Sequence, residues 1–139
     1  MIMTIIEVET RKSLDVVDIT DRVIEALREC EIDAGICLVY SLHTTTGLAI
    51  NEADGPLIRD ILNLLEKIAP EGAGYQHDRG DGNAHAHLRA MILGNSVMIP
   101  VEEGRLVMGI WQRILFFELD GPRERRILVR GISGQLTDR

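Results

Sequence analysis

The stretch SVMIPVEEGRLVMGIWQRILFFELDGPRERRILVR, from Ser96 to Arg130, decides the fold. It contains four runs of strand formers: Ser96–Val101, Arg105–Trp111, Ile114–Leu119 and Arg125–Arg130. Two of the breaks between them are Glu102-Glu103-Gly104 and Asp120-Gly121-Pro122-Arg123. Glycine supplies positive φ and proline presets a turn dihedral, so breaks this short fold the chain straight back and make successive strands antiparallel neighbours. Upstream, Ile2–Thr10 alternates apolar and polar residues, as a strand with one wet face does. Ala34–Ser41 is a further apolar run of strand formers, and Leu48-Ala49-Ile50 either continues it or returns as its hairpin partner.

Helical spacing interrupts the strands at three places. Val23, Ile24, Leu27 and Cys30 share one face, with Thr20 or Asp21 available as the cap. Pro56 suits a first helical turn, and Leu57, Ile58, Ile61, Leu62, Leu65 and Ile68 form one broad stripe that Pro70 ends. Glu71–Asn83 reads as loop, and Ala84–Leu93 as a short helix closed by Gly94. The order β-α-β-β-α-(short α)-β-β-β-β predicts an α+β protein: a single compact domain of 1–139 with a largely antiparallel, sandwich-like sheet and two main helices. No internal repeat or linker divides it.

Composition narrows the function classes. The 139 residues carry 45% hydrophobic and 27% charged side chains, the balance of a soluble globular protein. A net charge of −7 gives little attraction for a phosphate backbone, which argues against nucleic-acid partners. The one basic cluster, Arg123-Glu124-Arg125-Arg126, reads as a turn and strand face laced with surface salt bridges. No apolar run approaches the ~20 residues that span a bilayer, and the N-terminus has no basic head followed by an apolar stretch, so a cytoplasmic protein is expected. Cys30 and Cys37 form no CxxC pair and sit in apolar patterns, as buried reduced thiols do.

All four histidines fall between His43 and His87, beside a Thr run (Thr44-Thr45-Thr46-Gly47), an Asn51-Glu52-Ala53-Asp54 patch and a Gly-rich segment around His77-Asp78. His43, His77 and one of His85 and His87 could converge on a divalent metal with a position left open for water or substrate. Residues two apart share one side of a strand but diverge by roughly 200° in a helix. Since the local composition favours helix, one of His85 and His87 is expected to face the site and the other to be solvated. Glu52 and Asp78 are candidate acid/base or imidazole-orienting groups. For Asp78 and Asp81, turn chemistry is the competing account, and it is preferred for Asp81. Thr44 and Thr45 offer hydroxyls to an anion, Arg89 a phosphate clamp, and Trp111 with Gln112 a flat ring and an amide for a heteroaromatic ligand. The plainer alternatives are a strand-end Thr cluster, a surface Arg on a helix and a core Trp.

Taken in order, His-Thr-Thr, Asn-Glu, Tyr-x-His-Asp, Ala-His-Leu-Arg, Gly-x-x-Val-x-Ile-Pro-Val and Gly-x-Trp-Gln resemble the YjbQ family, described as secondary thiamine-phosphate synthases, over nearly the whole chain. The resemblance implies a compact α+β fold and a homotrimer with sites near the subunit boundaries. It carries a site onto His43, Thr44, Asn51, Glu52, His77, Asp78, His87, Arg89, Trp111 and Gln112, and places His43, His77 and His87 as the cluster for a metal (zinc, magnesium or manganese) or an anion. His85 falls at a variable place. Gly55 before Pro56, Ile110 and Arg113 depart from the family pattern and bear on substrate preference. The implied reaction joins a hydroxymethylpyrimidine diphosphate to a thiazole phosphate and releases pyrophosphate. Three histidines and two carboxylates exceed what such a displacement needs, so the synthase could be a side activity. Two alternatives therefore stand beside it: metal-assisted hydrolysis or phosphoryl chemistry on a small phosphorylated metabolite, with Glu52 beside the activated water, and a trimeric ligand-binding protein without catalysis.

Overall fold

The computed structural model describes residues 3–134; Ile2, expected to open the first strand, lies outside the described residues. The elements are β1 (Met3–Glu9), β2 (Asp15–Asp18), α1 (Thr20–Cys30), β3 (Gly35–Ser41), β4 (Thr46–Asn51), α2 (Gly55–Ile68), a 3₁₀ turn (Gln76–Arg79), α3 (Ala84–Leu93), β5 (Ser96–Glu102), β6 (Arg105–Leu106), β7 (Arg113–Glu118) and β8 (Glu124–Ser133). They form two sheets, β1-β8-β3-β5-β6 and β2-β7-β4, in which every pairing is antiparallel. The expected α+β class with an antiparallel, sandwich-like sheet is what the chain adopts.

Alternation along the strands sorts the residues into layers. Ile6, Val8, Cys37, Val39, Ile99, Val101, Ile127 and Val129 on the inner face of the larger sheet are buried with Leu48, Ile114 and Phe116 of the smaller sheet and with Val23, Ala26 and Leu27 of α1. The opposite face of the smaller sheet, through Leu115 and Phe117, packs on Ala86 and Ala90 of α3, with Ile61 and Leu62 of α2 against the same cluster. The thiols are buried and unbridged as expected, and burial pushes Cys37 up to about 12. Among the described residues no helix is long and apolar enough to cross a membrane.

Three expectations need correction. Leu48–Ile50 neither continues β3 nor pairs with it: β4 leaves the larger sheet and aligns with β7, Leu48 opposite Phe116, so His43–Thr45 becomes a crossing between sheets. The run Arg105–Trp111 is strand only through Leu106. There the Gln112 side chain accepts the Gly109 N–H at 2.8 Å while the Gln112 N–H donates to the Gly109 carbonyl at 3.1 Å, closing a local turn that leaves Ile110 and Trp111 88% and 70% exposed. The α1 start draws its side-chain bonds not from Thr20 or Asp21 but from Asp18, which accepts the Thr20 N–H (3.0 Å) and hydroxyl (2.6 Å).

Gly47 sets how closely α3 lies on β4. A Cβ placed there would stand 2.6 Å from the Cβ of Leu93, nearer than carbon atoms pack. Only glycine lets the helix rest on that strand at this spacing.

Candidate functional site

The β3–β4 crossing and the end of α3 enclose a cavity of about 410 Å³, lined by His43, Thr44, Thr46, His87, Ala90, Met91, Gly94 and Asn95. Its walls are held by bonds on both sides. Ser41 and Thr46 hydroxyls meet at 2.5 Å, the Ser41 N–H donates to the Asn95 carbonyl, and the Leu48 N–H donates to the Gly94 carbonyl. His87 comes from the second turn of α3 and Met91 one turn later, which puts both on one face.

His43 is fixed in one role. Its Nε2 accepts the Arg126 N–H at 2.8 Å, so a neutral ring carries its proton on Nδ1 and acts as a donor there. Burial holds its pKa below the ordinary 6.5, and the nearby Arg125, Arg126 and Arg123 push the same way against Glu118. Beneath the crossing lies a buried charge network absent from the sequence reading. Glu118, 0% exposed, accepts from both the Nε and an Nη of Arg125, from the Thr10 hydroxyl (2.7 Å) and from the Asp120 N–H (3.1 Å). Arg125 also donates to the Thr45 hydroxyl at 2.9 Å. Arg125 is thus a core residue, correcting the expectation of a solvated basic cluster, and Thr45 is a buried tie to it. The alternating apolar pattern of Arg125–Arg130 was the available signal, since it places Arg125 on the same face as Ile127 and Val129.

His77 sits on the 3₁₀ turn with its ring centroid 4.8 Å from that of His87 at 79°, and its Nε2 lies 3.0 Å from Asn83 Oδ1. Asp78 accepts the Ala84 N–H at 3.0 Å and so serves the start of α3, the turn-type role that competed with acid/base work. His85 is not solvated as expected: its side chain is 12% exposed, with Nε2 3.9 Å from Glu71. Arg89, the candidate phosphate clamp, is not the surface helix residue of the plainer account. It is 4% exposed, and its Nε donates to the Ala69 carbonyl at 3.0 Å, tying α3 to the end of α2.

The structure therefore brings together His43 with His87, and His87 with His77. Among the described residues it does not set three or more His, Cys, Asp or Glu side chains around a point where a metal ion could bind. The Nε2 of His43, already engaged by the Arg126 amide, also fits poorly as a ligand. Glu52 and Trp111 lie elsewhere. They line a separate groove of about 310 Å³ with Ala53, Asp54, Ile110 and Arg113, while Asn51 pairs in register with Arg113. From Thr46 to Asn51 the strand rises about 17 Å, so within one chain the histidine cavity and the Glu52–Trp111 groove stand at opposite ends of β4. Gln112 is engaged with Gly109 beside that groove.

Acidification should unfold this arrangement. The lowered His43 value means that the unfolded chain binds a proton more readily, so stability falls as pH drops through about 6.5. Burial opposes the Glu118, Asp120 and Asp18 carboxylates, but their hydrogen bonds and arginine partners outweigh it and hold all three below their ordinary values. Their contribution, present above about 4.5, is lost in a second, larger decline as pH falls further. Urea midpoints measured from pH 8 to 3 check both declines; a flat profile between about 7 and 5 would contradict the first.

Comparison with known proteins gives one consistent result. The family model described as "UPF0047 protein YjbQ-like" matches residues 4–134. A UPF0047 protein of Archaeoglobus fulgidus is 52% identical over 89% of this chain and 96% of its own. YugU of Bacillus subtilis, also a UPF0047 protein, is 36% identical over 90% of this chain and 95% of its own. Among solved structures, a hypothetical protein from Aeropyrum pernix superposes with a TM-score of 0.92 at 41% identity, covering 96% of this chain and 100% of that one. A YbjQ-like protein of unknown function from Sulfolobus solfataricus gives 0.89 at 41% identity, over 92% and 94%.

Proposed function

Because the chain belongs to the UPF0047 family of YjbQ-like proteins, we propose for it the reaction that its motifs imply, a thiamine-phosphate synthase-like transfer carried out in the cytoplasm. The thiazole nitrogen attacks the pyrimidine methylene, the carbon–oxygen bond to diphosphate breaks, and pyrophosphate departs with the electron pair. Such a displacement needs oriented reactants and hydrogen-bond donors at the leaving oxygen; it needs no general base.

The observation that carries this reading is the fixed donor character of His43 in a largely apolar cavity of about 410 Å³. The placement of Asp78, which serves α3, leaves less acid/base capacity for hydrolysis than the sequence offered and so favours the transfer. His43 and the Thr44 hydroxyl donate to the diphosphate, and Ala90 and Met91 form the apolar wall for a ring. The diphosphate brings its own divalent cation as substrate.

The assembly we propose is a homotrimer, in which the Glu52–Trp111 groove of one copy meets the histidine cavity of another. Support comes from the outer face of the larger sheet, where Ile36, Tyr40, Met98 and Ile132 are 37–65% exposed around Leu38 and Leu128, an apolar patch unusual on a lone subunit. Met98→Glu is expected to lower the mass in light scattering from three chains to one. An unchanged mass removes this face from the interface.

The direct test supplies purified protein with both precursors. The reading predicts thiamine phosphate and pyrophosphate in equal amounts, only when the thiazole phosphate is present, and a loss of both with His77→Ala. Pyrophosphate or phosphate released without the thiazole acceptor would instead establish the hydrolase.

A further inference from the structure

Asn83 stands at the residue before α3, where an asparagine side chain ordinarily accepts a helix N–H. It makes no such bond, and the first amide of the helix, the Ala84 N–H, donates to Asp78 instead. The amide of Asn83 is instead spent between two other side chains. Its Nδ2 donates to Asp120 Oδ2 at 3.0 Å, and its Oδ1 lies 3.0 Å from His77 Nε2. Asp120 also accepts from Arg123 Nη2 at 3.2 Å, which keeps it an ionised acceptor. A carboxylate admits only a donor beside it, so Asp120 fixes which end of the Asn83 amide faces His77. That end is the oxygen, and an oxygen acceptor requires the proton of a neutral imidazole to sit on Nε2.

We propose that Asn83 and Asp120 are positioning residues that hold His77 as its Nε2–H tautomer, leaving the Nδ1 lone pair as the group this ring offers to a ligand. The histidine cluster is then chemically divided, with a donor at His43 Nδ1 and an acceptor at His77 Nδ1. A partner that fixes one imidazole nitrogen so that the other meets its target is a general device of binding and catalytic sites. The functional weight of the proposal rests on the reading that His77 serves the site, but its physical content does not.

Long-range proton–nitrogen correlation spectra of the full protein, labelled with ¹⁵N at histidine and recorded about two pH units above the ordinary imidazole value of ~6.5, read each tautomer directly. The wild type is expected to show His77 protonated on Nε2 and His43 protonated on Nδ1. Asp120→Lys replaces the acceptor by a donor, which turns the Asn83 amide and inverts His77 to the Nδ1–H form. Asn83→Ala releases the ring to the mixture of tautomers of an unrestrained histidine side chain. His43, held by the Arg126 amide, keeps its own signature in both variants and reports that the fold is intact. His77 unchanged in Asn83→Ala, or not inverted in a folded Asp120→Lys, overturns the proposal. Because these spectra need no substrate, they stand or fall separately from the synthase assay.

Discussion

Arg125→Ala is expected to lower stability by about 3–5 kcal/mol, the loss that follows when one member of a buried ion pair is removed and the other is left uncompensated. Glu118 has no exposed surface, and its remaining partners, the Thr10 hydroxyl and the Asp120 N–H, are neutral donors. Folded domains are stable by only about 5–15 kcal/mol, so this one truncation removes a large part of the margin. Urea denaturation measures it. The double substitution Glu118→Leu with Arg125→Met should lose much less, because two apolar side chains of similar volume leave no stranded charge. A loss below about 1 kcal/mol for Arg125→Ala would mean that water reaches the pair and that it resembles an exposed one. The site should suffer too, since Arg125 ties down Thr45 and its neighbour Arg126 holds His43.

The second large effect is on turnover. His43→Ala is expected to reduce kcat for thiamine phosphate formation by about 10²–10³-fold, the usual cost of removing one preorganised donor from a developing oxyanion. His43→Gln separates this role from folding. Its side-chain oxygen can still accept the Arg126 N–H, so thermal stability should return toward the wild type while most of the kcat loss remains. Full activity in His43→Gln would assign the ring a purely structural part. Equal losses of stability and activity in both variants would do the same.

The fold was legible in the sequence wherever burial is one-sided. Inward positions of β1, β3, β5 and β8 carry the apolar residues, and their alternation is a period-two signal. The sequence misled where a run of strand formers had no sheet to join: in Val107–Trp111 a local turn closed by Gln112 prevailed over propensity. Part of the site was legible too, for His43 and His87 line one cavity and His77 contacts His87. The roles were harder to read, because they depend on partners distant in the chain. His43 is made a donor by a backbone amide 83 residues away, and Asn83 is turned by Asp120, 37 residues away. Arg89 and Asp78 matched functional patterns by type, yet α3 uses one to hold α2 and the other to satisfy its first amide.

The absence of a side chain at residue 47 makes that position a spacer between β4 and α3, the two elements that flank the histidine cavity. His43 precedes β4 and His87 rides on the helix that Leu93 presses against Gly47, so added carbons there are expected to push the helix off the strand and change the separation of the rings. A graded series of substitutions at 47 would act as a ruler for ligand size. Relatives with a bulkier residue at that place should prefer correspondingly larger molecules.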